Sequence, residues 1–180
     1  MLRIEILGEE YWDEEAERFR YPKAQTIELE HSLVSLSLWE SKWNKPFLTK
    51  KKKTDEEILD YIKCMTLTPG VDEETYRYLS NKNYSEIDKY ISATMTATTF
   101  SNNSPGRGKN EIITAEVIYH WMVSLNIPSE YENWHLNRLI TLIRVCSIKN
   151  SPPKKMSQSD IYARNAALNA RNKAKYNTRG

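Results

Sequence analysis

Apolar and polar positions alternate with period two in Leu2-Arg3-Ile4-Glu5-Ile6 and again in Gln25-Thr26-Ile27-Glu28-Leu29-Glu30. That rhythm marks half-buried strands and predicts a small antiparallel ribbon, with Glu9 to Pro22 as an acidic connection. After Ser32 the period lengthens. Leu33, Leu36, Trp39, Glu40 and Trp43 fit a helix, although Val34, Leu36 and Leu38 between serines also suit a continued strand. The length of the stretch favours the helix.

From residue 54 the helical pattern is firm. Thr54-Asp55-Glu56-Glu57 is a capping box. Ile58, Tyr61, Ile62 and Met65 follow at i, i+3, i+4 and i+7, so they share one face. Pro69-Gly70 stops that helix. Asp72 is expected to cap a short helix with Tyr76 and Leu79, and Ser85 another with Ile87, Tyr90 and Ile91. Ser101 to Asn110 is a loop.

Residues 112–148 are the most apolar stretch. Ile118, Trp121, Met122 and Leu125 form one helical stripe, closed by Asn126-Ile127-Pro128, and Ser129 is expected to cap the next helix. There Leu136, Leu139, Ile140 and Ile143 face one way, while Leu142 and Val145 widen the arc. Only Asn137, Thr141 and Arg144 form a polar stripe, which predicts the central core helix. Ser151-Pro152-Pro153-Lys154-Lys155 then makes a stiff basic hinge. Residues 157–176 are rich in Ala, Asn and Arg, with few apolar side chains to bury, and read as a mobile or partner-ordered arm. The predicted architecture is a mainly α domain over residues 1–150 with an N-terminal ribbon, followed by a basic arm over 151–180.

Composition narrows the classes. The chain has 180 residues, and no run approaches the roughly 20 apolar residues of a spanning helix, which argues against a membrane protein. The start turns acidic at once, unlike a secretory signal. Cys64 and Cys146 lie far apart in apolar stretches and read as buried small hydrophobes in a reducing cytoplasm. The formal net charge of +2 hides a polarity: residues 1–31 carry −5 and residues 149–180 carry +7. Either the two ends do different jobs, or copies attract one another head to tail.

Candidate chemistry is sparse. His120 and His135 fall in two consecutive helices and could meet, but no H-E-x-x-H or C-x-x-C spacing accompanies them, so no metal or cofactor is expected. No G-x-S-x-G elbow is present. Pro105-Gly106-Arg107-Gly108-Lys109 invites a phosphate-binding reading, but its glycines are wrongly spaced for a P-loop. Lys50 to Lys53 and the basic arm could grip nucleic acid, yet no recognition motif accompanies them and the acidic start opposes phosphate. Trp39 and Trp43, one turn apart, are followed by Phe47. These rings belong either to the core or to a groove for an apolar partner helix.

Longer strings carry a resemblance. Glu30-His31-Ser32-Leu33-Val34-Ser35-Leu36-Ser37-Leu38-Trp39-Glu40-Ser41-Lys42-Trp43 through Pro46-Phe47-Leu48 is one, and Ile112 to Tyr119 is a second. Trp134 to Cys146, and Ala166 to Arg171 with Asn177 to Gly180, complete the set. Together, over about residues 26–180, they resemble the tail assembly chaperone-like proteins of long-tailed bacteriophages with flexible tails. The resemblance implies a non-enzymatic helper in the host cell cytoplasm. It would bind the tape measure protein transiently while tail-tube subunits polymerise around it, itself monomeric or a homo-oligomer. The alternative is a permanent virion structural protein, such as a connector or tail-associated subunit. Trp39, Trp43 and Phe47 are the candidate apolar anchors, with Arg164 and Arg171 on the arm.

Overall fold

Strand β1 (Leu2–Ile6) pairs antiparallel with β4 (Gln25–Leu29), with Ile4 opposite Ile27. Ile4, Ile6, Ile27 and Leu29 point inward and are buried, while Arg3 and Glu28 close a 2.6 Å ion pair on the outer face. A computed structural model supplies this description for residues 1–7, 11–14, 17–20, 24–100, 112–151 and 157–177. The connection between the paired strands holds a second hairpin, which the acidic composition conceals. There β2 (Tyr11–Asp13) pairs with β3 (Arg18–Arg20), and Trp12 and Phe19 meet edge to face at 5.0 Å, both half exposed. The expected loop Ser101 to Asn110 and much of the Pro-Pro hinge lie outside the described residues.

Helix α1 (Leu33–Trp43) starts at a capping box of Ser32 and Ser35 and ends where Asn44 turns left-handed at φ 51°. Helix α2 (Asp55–Met65) has the expected box: Thr54 Oγ1 accepts from the Glu57 amide and Glu57 Oε2 accepts from the Thr54 amide. It ends before Pro69, because residues 66–67 join the ribbon: Leu67 N–H donates to Glu28 O at 2.8 Å and Glu30 N–H to Met65 O at 2.9 Å. Asp72 caps a 3₁₀ turn over Glu73–Tyr78. Helix α3 (Asn81–Ser92) is capped by Ser80 with Asn83, five residues before the expected Ser85, so the helix is longer than apolar spacing suggested.

Helix α4 (Ala115–Ser124) buries Ala115, Ile118 and Met122, leaves Trp121 half-buried, and gives way to Asn126 at φ 51°. The next helix is not capped by Ser129, which instead opens a 3₁₀ turn, Ser129–Asn133. Helix α5 (Leu136–Asn150) begins where Leu136 N–H donates to His31 O at 2.7 Å.

The centre of the core differs from expectation. Helix α5 fully buries only Leu136, Leu139 and Ile143, and Ile148 is 54% exposed. The central helix is α1. It gives Trp39 to one apolar cluster, with the ribbon, Tyr61, Ile62, Met65, Ile87 and Tyr90. It gives Leu33 and Leu36 to another, with Ile118, Met122, Leu136 and Leu139. Phe47 packs against both. Cys64 and Cys146 are free thiols, half-buried rather than buried.

The chain divides into two units, Met1–Ile148 and Lys149–Gly180. The second holds α6 (Gln158–Tyr176), where Ser157 Oγ accepts from the Asp160 amide, Lys173 and Lys175 sit in the last turn, and no residue is buried. Among the described residues no helix is long and apolar enough to cross a membrane. The protein is mainly α, with a small N-terminal antiparallel ribbon and a basic C-terminal arm.

Candidate partner-binding site

The three aromatic candidates fall inside a continuous chain of rings. Trp43 stacks on Trp39 at 6.1 Å, Trp39 meets Phe47 edge to face at 5.0 Å, and Phe47 stacks on Tyr61 at 3.9 Å. Tyr61 leads to His31, His31 to His135 at 5.1 Å, and His135 to Tyr90. Trp39 is 1% exposed, and its Nε1 donates to Glu57 O at 2.8 Å. It offers no surface to a partner and holds α1 against α2 instead. Trp43 and Phe47 remain half exposed. The open groove expected of these residues is therefore a packed seam, with only its outer rings facing solvent. Lys53 Nζ lies 4.2 Å over the Phe47 ring, and burial there pushes its ammonium below the usual lysine range.

Beside Trp43 the surface dips into a cleft of about 390 Å³ between α1, α2 and the 3₁₀ turn. Trp43 and Leu59 form its apolar wall, and Lys42, Glu56, Asp60, Lys63 and Glu73 its polar lining. Asp60, itself buried, accepts from Lys42 Nζ and, at 2.9 Å, from Trp43 Nε1, so both side chains are fixed. The same hydrogen bond from Lys42 to Asp60 raises the Lys42 pKa. Glu73 Oε1 stands 3.6 Å from Lys63 Nζ. Cys64 lies alongside, but burial first and the Asp60 carboxylate second push its thiol up, keeping it protonated and a poor nucleophile. The cleft thus sets an apolar wall beside a polar lining whose charges are largely paired among themselves, Lys42 with Asp60 and Lys63 with Glu73.

Behind the ring chain sits a buried polar seam. His135 Nδ1 accepts from the Asn137 amide at 3.3 Å, so Nε2 carries the proton, which it donates to Tyr90 O at 3.0 Å. That pattern belongs to a neutral imidazole. His31 Nδ1 and Tyr61 Oη are 2.6 Å apart. Burial, with His135 adding repulsion, pushes His31 down to about 3; burial lowers His135 as well. Burial raises the Tyr61 hydroxyl well above its ordinary value. The histidine pair in the molecule is thus His31–His135, not His120–His135: His120 is exposed beside Ser124. No sequence spacing joins residues 31 and 135, so only the packing of the segment before α1 on that before α5 brings them together. Among the described residues no group of three or more His, Cys, Asp or Glu could hold a metal ion.

On the second unit, Arg164 and Arg171 are seven residues apart on one side of α6, and both are exposed. In the basic run, Lys50 to Lys52 are exposed and Lys53 is half-buried. In comparisons with known proteins, no family model, no curated protein and no solved structure matches the chain.

Proposed function

We propose that the protein is a tail assembly chaperone of long-tailed bacteriophages. It works in the host cell cytoplasm, binds the tape measure protein transiently, and catalyses no reaction. The observation that carries this reading beside the sequence strings is α6: nineteen helical residues, none of them buried. Most helical stability in proteins comes from the packing of an apolar face rather than from intrinsic preference. A helix held ready without a packing partner suits a role in which another polypeptide completes it. The tape measure protein, whose exposed apolar stripe would otherwise aggregate, is the client, and the tail-tube protein its later recipient. Half-exposed Trp43 and Phe47, with Arg164 and Arg171 on the arm, are the proposed contact residues.

Co-purification from infected cells tests this. The tape measure protein should accompany the tagged chain, and its recovery should fall when residues 157–177 are removed. A second reading, a permanent virion subunit, is favoured by the charge polarity, since −5 on one unit and +7 on the other would lace neighbouring copies together. Stoichiometric presence in purified particles, read by mass spectrometry, would replace the first reading with the second.

A further inference from the structure

Helix α6 sorts its side chains into lengthwise stripes. Arg164, Arg171 and Lys175 follow at i, i+7 and i+11 and line up along one side. On one flank of that line run Ala163, Ala166, Ala167, Ala170 and Ala174. On the other, beyond Ile161 and Leu168, run Asn165, Asn169 and Asn172. Lys173 stands about two and a half turns from Arg164 and so lies on the far side. All of these residues are exposed. Arg164 has a partner within the molecule, whereas among the described residues Arg171, Lys173 and Lys175 form no ion pair.

Charge selects the ligand for such a helix. Residues 149–180 carry eight Lys or Arg and a single acid, Asp160, giving +7. The Asp160 carboxylate is engaged in the first turn, where it accepts from Ser157 Oγ at 2.6 Å. The acidic start that opposes phosphate belongs to the first unit, Met1–Ile148. Residues 1–31 of another copy are a poorer match, because their nine acids are interspersed with four bases. Duplex DNA instead presents an unbroken run of negative charge, one about every 1.7 Å of its axis. Its major groove is about 12 Å wide and admits an α-helix, and alanines keep one flank of α6 slim. We propose that α6 binds duplex DNA, seated in the major groove with the stripe of Arg171 and Lys175 against the duplex and Lys173 turned away. Arg171 and Lys175 reach phosphates, and the asparagine flank donates its amides to the groove wall, so the grip is largely independent of base sequence. This binding needs no client and does not rest on the chaperone reading.

Fluorescence anisotropy of a labelled, mixed-sequence DNA duplex, titrated with the nuclease-treated full chain between about 50 and 200 mM salt, tests this. The wild type should bind, with the logarithm of its affinity falling linearly against that of the salt concentration. Arg171→Gln with Lys175→Gln should weaken binding about tenfold and flatten the slope by about 1.8, since each lost phosphate contact removes about 0.9. Lys173→Gln also removes a charge but on the far side, so it should change affinity less than about twofold and leave the slope alone. An RNA duplex of the same sequence has a deep, narrow major groove that excludes the helix, and should bind about tenfold more weakly. Poly-glutamate should not displace the DNA. Circular dichroism checks that the variants keep their helical signal. No binding by the wild type, a loss for Lys173→Gln as large as for the double variant, equal affinity for RNA, or displacement by poly-glutamate would each overturn the proposal. Because Arg171 is also a proposed client contact, the titration is run without client, and its failure leaves the tape measure reading to co-purification.

Discussion

Helices α1 and α6 invert the expectation that good helix formers make secure helices. Helix α1 has eleven residues, three of them serine, yet buries Leu33, Ser35, Leu36, Trp39 and Glu40. Helix α6 has nineteen residues, five of them alanine, and buries none. Alanine leads the intrinsic scale and serine trails it by a few tenths of a kcal/mol, whereas a buried large side chain contributes roughly 1.5–3 kcal/mol. Local preference draws α6; tertiary contact secures α1. The difference separates an element that holds the fold together from one free to serve a partner.

The sharpest way to break that contrast is Trp39→Ala. Losing the central indole, its ring contacts and its bond to Glu57 O should cost about 3–5 kcal/mol, read by chemical denaturation. A loss near zero would mean that α1 is no more central than α6.

The next effect comes from acid. His31 titrates near 3 in the folded chain and near its ordinary value, about 6.5, when unfolded, so the unfolded state binds the proton first. The stabilisation is complete above about pH 6.5 and is lost as pH falls toward 3, amounting to about 3 kcal/mol by about pH 4. Denaturation at successive pH values should show this slope for the wild type and a flatter one for His31→Gln. Equal slopes would exclude His31 as its source.

Ser80→Ala should cost about 1 kcal/mol by removing the cap of α3, whereas Ser85→Ala should stay within about 0.5 kcal/mol. Thermal melts of the pair distinguish the two start points. The smallest effect belongs to α6: Leu168→Ala should shift the unfolding free energy of the monomer by less than about 0.5 kcal/mol. Loss of several degrees in a melt at low concentration would show that Leu168 does pack.

What could be read from the sequence was local. The period-two strands, the Thr54 box and the stripe of Ile118 and Met122 each depend on neighbours within a few residues. Three things were hidden because their partners arrive from far along the chain. Serines gave α1 a polar appearance, but Ser35 is buried with its hydroxyl 3.5 Å from Tyr61 Oη on α2, so polarity there did not mean exposure. Apolar breadth suggested α5 as the centre, yet breadth says nothing about how many neighbours come to cover it. Trp39 and Trp43 looked equivalent one turn apart, and only the approach of α2 makes one structural and the other a surface. The sequence also could not tie His31 to His135, or place Trp43 beside Glu56 and Glu73.

Glu40 carries one more consequence. Its two carboxylate oxygens take the amides of Phe47 and of Ala115, each at 2.7 Å, and the second of these is the first residue of α4. Thr114, at the usual capping position, makes no such side-chain bond. Helix α4 therefore borrows its start from a residue seventy-five positions earlier. The stability of α4's first turn is thus coupled to α1 being in place, and losing the Glu40 carboxylate would leave both the Phe47 and the Ala115 amides without their acceptor.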